Sequence, residues 1–144
     1  MAKFDLDDDL YGHGTPLIFV FSDARGETAY TVVLAAAAQF GDDSVEIKRL
    51  AEVKDVAMVR AFLDENYDPD RPCAVFHTFA DSTLRRNIRR ELDRRGIPSV
   101  DLLGPAVNVL SSLTGDDPKC VVGAFYNDEE RRAHEGKGEH EEEE

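Results

Sequence analysis

Apolar runs alternating with stretches of helical periodicity predict an α/β chain built on a parallel sheet. Two runs, Leu17-Ile18-Phe19-Val20-Phe21 and Cys73-Ala74-Val75-Phe76, carry no polar alternation. That is the pattern of central strands covered on both faces. Between and after these runs, apolar residues recur every three or four positions, as on the buried stripe of a helix. The chain has 144 residues, enough for one domain with a real core.

The first strand is expected over 17–21, with Pro16 at its edge, where a missing N–H is harmless. A helix over 26–40 follows. Its buried face should be Ala29, Val32, Val33, Ala36 and Phe40, and its alanine run, 35–38, would let it pack close to the sheet. Gly41 is placed to end it. Strand two, 44–50, alternates Val45 and Ile47 with Glu46 and Lys48, which suits an exposed edge. Helix two, 54–66, has Val56, Val59 and Leu63 at helical spacing, with Phe62 beside them. Strand three is expected over 73–77.

Asp81 or Ser82 can cap helix three, 83–95, whose core stripe is Leu84, Ile88 and Leu92. Gly96 ends it. Strand four is short, 98–101. Helix four, 102–113, carries Pro105 in its first turn, where a proline costs little. Val107, Leu110 and Leu113 form its inward stripe. Right-handed crossovers between such strands give a three-layer Rossmann-like (flavodoxin-like) sheet of about four parallel strands in the order 2-1-3-4. The expected organisation is a flexible acidic lead-in at 1–14 and the α/β domain at 15–118. A linker or edge strand and a disordered acidic tail then fill 119–144.

Net charge is −13, and it is uneven. Asp5, Asp7, Asp8 and Asp9 crowd the start, and residues 127–144 hold nine acids against three bases. The acidity thus belongs mostly to the ends. It argues against nucleic-acid binding, which needs clustered Lys and Arg. No apolar run reaches the roughly 20 residues that span a bilayer, and the acidic start lacks the features of a signal peptide. A cytoplasmic location is expected, with no membrane partner. Cys73 reads as a small core residue. Cys120 stands alone, and His134 and His140 lie among glutamates, so no metal site is expected.

Three stretches could carry chemistry. The first is the turn Ser22-Asp23-Ala24-Arg25-Gly26-Glu27-Thr28. The start of a helix favours anions, Ser22 and Thr28 add hydroxyls, and Arg25 adds charge. The structural alternative is a capped turn, with Asp23 as the cap and Glu27 in the first helical turn. Neither a P-loop nor the three-glycine dinucleotide fingerprint is present here. The second is helix three, where Arg85, Arg89 and Arg86 align on one exposed side. This is either a solvated face or a docking surface for an acidic or phosphorylated protein. The third is the rim of strand ends, His77, Thr78 and Asp101, which should converge with Ser22 and Asp23. His77 could act as a base or a phosphate donor, or be a satisfied structural residue.

Four ordered blocks add up to a known pattern. They are Phe19-Val20-Phe21-Ser22-Asp23-Ala24-Arg25-Gly26-Glu27-Thr28-Ala29 with Gln39-Phe40, then Ala74-Val75-Phe76-His77-Thr78-Phe79-Ala80-Asp81, then Ile97-Pro98-Ser99-Val100-Asp101-Leu102-Leu103-Gly104-Pro105, then Gly115-Asp116-Asp117-Pro118-Lys119. Together they resemble the N-terminal part of the pyruvate, phosphate dikinase and phosphoenolpyruvate synthase regulatory proteins. The resemblance implies a bifunctional serine/threonine kinase and phosphorylase. Such a protein phosphorylates a threonine of its target with ADP. It removes that phosphate with inorganic phosphate, releasing pyrophosphate.

The 144 residues contain no Gly-x-x-x-x-Gly-Lys-Ser/Thr, the nucleotide loop that the family carries in its second half. Ala24-Arg25 also stands where the family has small hydroxyl residues. The expectation is therefore a first domain that is inactive alone and needs no cofactor of its own, with ADP and phosphate implied for the longer family form. Its partner would be the dikinase or synthase target, or a separately encoded second domain, and an exposed sheet edge would permit a homodimer. The alternative is a non-enzymatic binding or sensor module.

Overall fold

The computed structural model describes residues 14–41 and 43–122. Four strands, β1 (Leu17–Ser22), β2 (Glu46–Leu50), β3 (Cys73–Thr78) and β4 (Ser99–Asp101), form one sheet in the order β2-β1-β3-β4. All three pairings are parallel. The helices are α1 (Glu27–Ala37), α2 (Val56–Asn66), α3 (Ser82–Arg95) and α4 (Gly104–Thr114). This is the Rossmann-like α/β arrangement and strand order that the sequence predicts. β1 and β3 pair along their whole length, from Leu17 beside Cys73 to Ser22 beside Thr78. Their C-terminal ends therefore finish level, and two hydroxyl residues stand next to each other there.

The chain runs from β1 out to β2, then crosses back over β1 to β3. Right-handed crossovers put α1 on one face and α2 and α3 on the other. The packing agrees. Phe19, Phe21 and Val75 share a core with Val59 and Leu63 of α2 and with Ile88 and Leu92 of α3. Phe62 sets its ring edge-on to Phe19 at 5.6 Å and to Phe21 at 5.7 Å. On the opposite face, Val20 packs with Ala29 and Val33 of α1. The first cluster holds twelve buried residues and the second three. The two faces of the sheet are thus unequally covered.

A polar clamp joins α2 to α3. The Glu91 carboxylate is buried and accepts hydrogen bonds from Arg94 and Arg95 of its own helix and from Arg60 of α2. The Arg94 bond leads in holding its pKa down at about 2, with Arg95 and Arg60 adding to it against the cost of burial. Asp64 takes a second guanidinium nitrogen of Arg95 at 3.1 Å.

The helix ends differ from the sequence reading in two places. α1 stops at Ala37, so Phe40 lies beyond it and is 80% exposed. Val32 and Ala36, expected inside, face outward, as do Ala35 and Ala38. In α4 the expected inward stripe is open: Leu110 is 59% and Leu113 77% exposed, and no α4 side chain joins either buried cluster. The physical reason is the sheet's width. β4 is a three-residue edge strand, too small a platform to cover an eleven-residue helix. Periodicity reports a face that favours burial, not the presence of something to bury it. Residues 119–122 form no strand. The lead-in before residue 14 and the acidic tail lie outside the described residues.

Candidate functional site

The C-terminal ends of β1 and β3 meet a cleft of about 510 Å³. It sits where the strand order reverses, between the strand that leads to β2 and the strand that leads to β4. Open parallel sheets bind ligands at such a point, because loops on either side diverge there. Ser22, Thr28, Thr78 and Ser82 bring hydroxyls to the lining, and Arg85 brings a guanidinium. Leu103, Val107 and Asn108 line it from the α4 side, and residues 118–121 complete it.

The β1–α1 turn is built by short-range bonds and one long-range tie. Ser22 Oγ accepts from the Ala24 amide at 2.9 Å. Gly26 takes the N-cap position of α1 with φ +83°, a left-handed conformation that side chains with a Cβ resist. A Cβ there would also lie 3.1 Å from Arg49 Cδ. The structural alternative for this turn had Asp23 as the cap of this helix. It is not: α1 begins at Glu27, too far along the chain, and its N-cap supplies no side-chain hydrogen bond. Instead Asp23 Oδ2 accepts from the amides of Ala80 and Asp81, both at 3.0 Å. Asp23 is buried, and it fastens the β1 turn to the β3 turn.

Carboxylates meet the amides at the starts of the other three helices, Asp55 Oδ1 accepting from Met58 at the start of α2. Asp81 Oδ1 accepts from Thr83 and Leu84 at the start of α3. Asp101 Oδ1 accepts from Leu103 and Gly104 at the start of α4. Leu103, the N-cap of α4, makes no side-chain cap hydrogen bond, and neither does Gly26, the N-cap of α1. The first turn of α1 borders the cleft through Gly26 and Thr28.

His77 sits on the other side of the sheet from α1. Its ring is completely buried, 5.4 Å from Phe79, and neither nitrogen has a hydrogen-bond partner among the described residues. Nδ1 lies 4.0 Å from Asp101 Oδ1. Burial lowers its pKa to about 4, Asp101 opposing the shift and Arg89 and Arg85 reinforcing it. The ring does not line the cleft, so the role of base or phosphate donor considered for it has no geometric support.

Of the residues singled out in the sequence, Ser22, Asp23, Gly26, Thr28, Thr78 and Arg85 come together at the cleft. Arg25 and Glu27 are exposed and do not line it. Asp101 stands behind Arg85, with Oδ2 3.6 Å from its Nε. Arg86 and Arg89 line a separate hollow on α3 with Ser82, Arg85, Arg90 and Asp93. Sequence reasoning missed Asn108, Leu103 and Val107, and it treated Ser82 only as a cap. Asn108 did carry a signal, as a polar residue inside the apolar run Val107-Asn108-Val109-Leu110. Among the described residues, no cluster of three or more His, Cys, Asp or Glu could hold a metal ion. No helix there is long and apolar enough to cross a membrane.

Comparison with known proteins adds a second line of evidence. Residues 18–134 match the kinase/pyrophosphorylase family. A pyruvate, phosphate dikinase regulatory protein of Lactiplantibacillus plantarum is 33% identical over 109 residues, which are 76% of this chain and 39% of that protein. The protein of the same name from Bdellovibrio bacteriovorus is 34% identical over 117 residues, 81% of this chain and 41% of its own length. One from Clostridium perfringens is 33% identical over 113 residues, 78% and 42% respectively. The chain thus spans about two fifths of the length of these relatives. The matched region includes every strand, every helix and the whole cleft lining, apart from Leu17 at the start of β1.

Proposed function

The chain belongs to the kinase/pyrophosphorylase family, and from that premise we propose that it forms the phosphate-receiving part of a protein kinase and phosphorylase. The target would be a pyruvate, phosphate dikinase or phosphoenolpyruvate synthase, in keeping with the relatives' names. In the forward direction a threonine oxygen of the target attacks the terminal phosphoryl of ADP, giving phosphothreonine and AMP. In the reverse direction inorganic phosphate attacks the phosphothreonine phosphorus, restoring threonine and releasing pyrophosphate.

The observation that carries this reading is the cleft lining. Four hydroxyls and the Arg85 guanidinium face one volume at the sheet's switch point. Hydroxyls and a guanidinium are donors suited to a phosphoryl group in transit, and Arg recognises phosphate in a two-pronged geometry. Asp101 steadies Arg85 from behind. Asp23, bonded to two amides, sets the spacing between the two turns. These 144 residues have no nucleotide loop motif, so in this reading nucleotide binding is assigned to the second half of the longer family members. That assignment fits the three fifths of each relative that the chain does not span.

Calorimetry of the purified chain against inorganic phosphate, pyrophosphate, ADP and a phosphothreonine peptide tests the reading. Phosphate and the phosphopeptide should bind, and Arg85→Gln should weaken both about tenfold, the scale of one charge-assisted bond. If no phosphate-bearing compound bound, alone or with a dikinase present, the reading would be wrong. Binding of the unphosphorylated dikinase with no response to phosphate would favour a non-enzymatic binding module, the alternative that the missing nucleotide loop suggests.

A further inference from the structure

We propose that the glutamate-rich stretch 139–144 of this chain docks on the arginine hollow of α3 and shields the adjoining cleft. The shielding, though not the docking, rests on the cleft being the phosphate site. α3 carries six arginines, and they divide by position. Arg94 and Arg95 are held by Glu91 and Asp64. Arg86, Arg89 and Arg90 are exposed and have no carboxylate partner among the described residues. With Ser82, Arg85 and Asp93 they line a hollow of about 330 Å³. Arg85 and Arg89 are four residues apart, as are Arg86 and Arg90, so like charges stack along one side of the helix. Such a stripe weakens a helix unless an anion covers it.

Three observations name the occupant. Residues 118–121 line the cleft, and Cys120 Sγ lies 3.8 Å from Ser82 Oγ. The chain therefore leaves the described region beside the first turn of α3. Arg90 lies about 12 Å along the helix from Ser82, while residues 123–138 can span up to about 50 Å. The charges are also complementary, since residues 135–144 hold six glutamates against one lysine. The other acidic stretch is at the wrong end of the sheet. Asp5, Asp7, Asp8 and Asp9 precede Gly14, which borders a hollow with Arg71 at the N-terminal end of β1, away from the cleft.

Residues 135–144 lie beyond the family match at 18–134, so the occupant comes from outside the matched region. Because it is tethered, exposed ion pairs that are weak singly suffice to seat it. Ser82 and Arg85 line both the hollow and the cleft. A glutamate seated there draws on the same guanidinium that a phosphate in the cleft would use.

The test couples carboxylates to a lysine that touches them. In the full chain with Arg89→Lys, which keeps the charge and the helix propensity, a carbodiimide forms the amide bonds and mass spectrometry locates them. Coupling of the introduced lysine to Asp93, four residues along the helix, reports that it is reactive. It should also couple to Glu139 and Glu141–Glu144 about tenfold more than the exposed Lys54 does, the scale of several ion pairs in concert. High salt should abolish the excess, and so should adding Arg86→Gln and Arg90→Gln. In an equal mixture of isotopically light and heavy chains, the bonds should join residues of one chain.

Coupling no greater than that of Lys54 would overturn the docking. So would coupling to Asp5, Asp7, Asp8 or Asp9 in place of the glutamates. Bonds between light and heavy chains would overturn it too, making a second copy the source of the occupant. Shielding is read separately, by calorimetry with inorganic phosphate. Replacing Glu139 and Glu141–Glu144 by glutamine should tighten phosphate binding about threefold at low salt, and by nothing at high salt. Equal affinities at low salt would overturn the shielding and leave the docking in place. If neither the wild-type chain nor the glutamine variant bound phosphate while the coupling ran as expected, the cleft reading and the shielding would fall and the docking would stand.

Discussion

Single residues at the β1–α1 turn decide whether the cleft has a shape at all. Gly26 was legible from the sequence, because one glycine between a buried strand and a helix marks a backbone that needs room. Its φ of +83° gives the reason. Gly26→Val should destabilise the protein by about 2–3 kcal/mol, from left-handed strain and β-branching together. Arg25→Ala, on an exposed side chain, should cost under about 0.5 kcal/mol. Urea unfolding of both variants checks this; similar midpoints would mean that the turn tolerates a side chain. Asp23 was legible as a residue of the rim but not in its bonding. Local reasoning offers an aspartate before a helix a capping bond, and nothing local reveals two amides that lie more than fifty residues away along the chain. Removing those bonds by Asp23→Ala should cost about 2–3 kcal/mol, the scale of buried hydrogen bonds to a charge. Asp23→Asn, which keeps one acceptor oxygen, should recover about half. Denaturation midpoints in the order wild type, Asn, Ala are the expected result, and an Asn variant no better than Ala would count against the bonding described.

At the scale of elements, the same periodicity argument succeeds for α3 and fails for α4. Leu84, Ile88 and Leu92 are buried as their spacing predicts, because α3 packs into the large core with α2, β1 and β3. Leu110 and Leu113 have equally good spacing and are exposed, because α4 follows the edge strand. What distinguishes them is the neighbour, which a linear pattern does not contain. Glu91 was invisible for a related reason. A charged residue on an arginine-rich helix reads as surface, and its partner Arg60 arrives from α2. The clamp makes α2 and α3 one unit over the larger core. Glu91→Ala should cost about 2–4 kcal/mol, since it frees three guanidiniums from their shared acceptor and opens a buried site. Glu91→Gln should cost less, because the amide oxygen still accepts one bond. Thermal unfolding in low and high salt would measure both, with the loss persisting in salt because the carboxylate is buried. A loss that disappeared at high salt would show the clamp to be a surface pair.

For the molecule as a whole, class, strand order and switch point were legible because they follow from the order of elements and the handedness of crossovers, which the sequence encodes directly. The depth of burial was not, and two buried ionisable groups now predict how the whole fold responds to acid. His77 has a folded pKa of about 4 against an ordinary 6.5, so the unfolded chain takes its proton first. Its contribution is complete above pH 6.5 and is lost as the pH falls towards 4, on the order of 3 kcal/mol in all. Glu91 has a folded pKa of about 2 against 4.5. Its contribution is present above 4.5 and is lost as the pH falls towards 2. Acid destabilisation should therefore come in two overlapping limbs, an upper one from His77 and a lower one from Glu91. His77→Leu replaces a ring without hydrogen-bond partners by an apolar side chain of similar bulk, so it should be near neutral in effect at pH 7.5. It should also remove the slope between pH 6.5 and 4 while leaving the lower limb. Urea midpoints taken every half pH unit from 7.5 to 3 would show this. If the His77→Leu curve kept the wild-type slope above pH 4.5, the imidazole would not be the group that titrates.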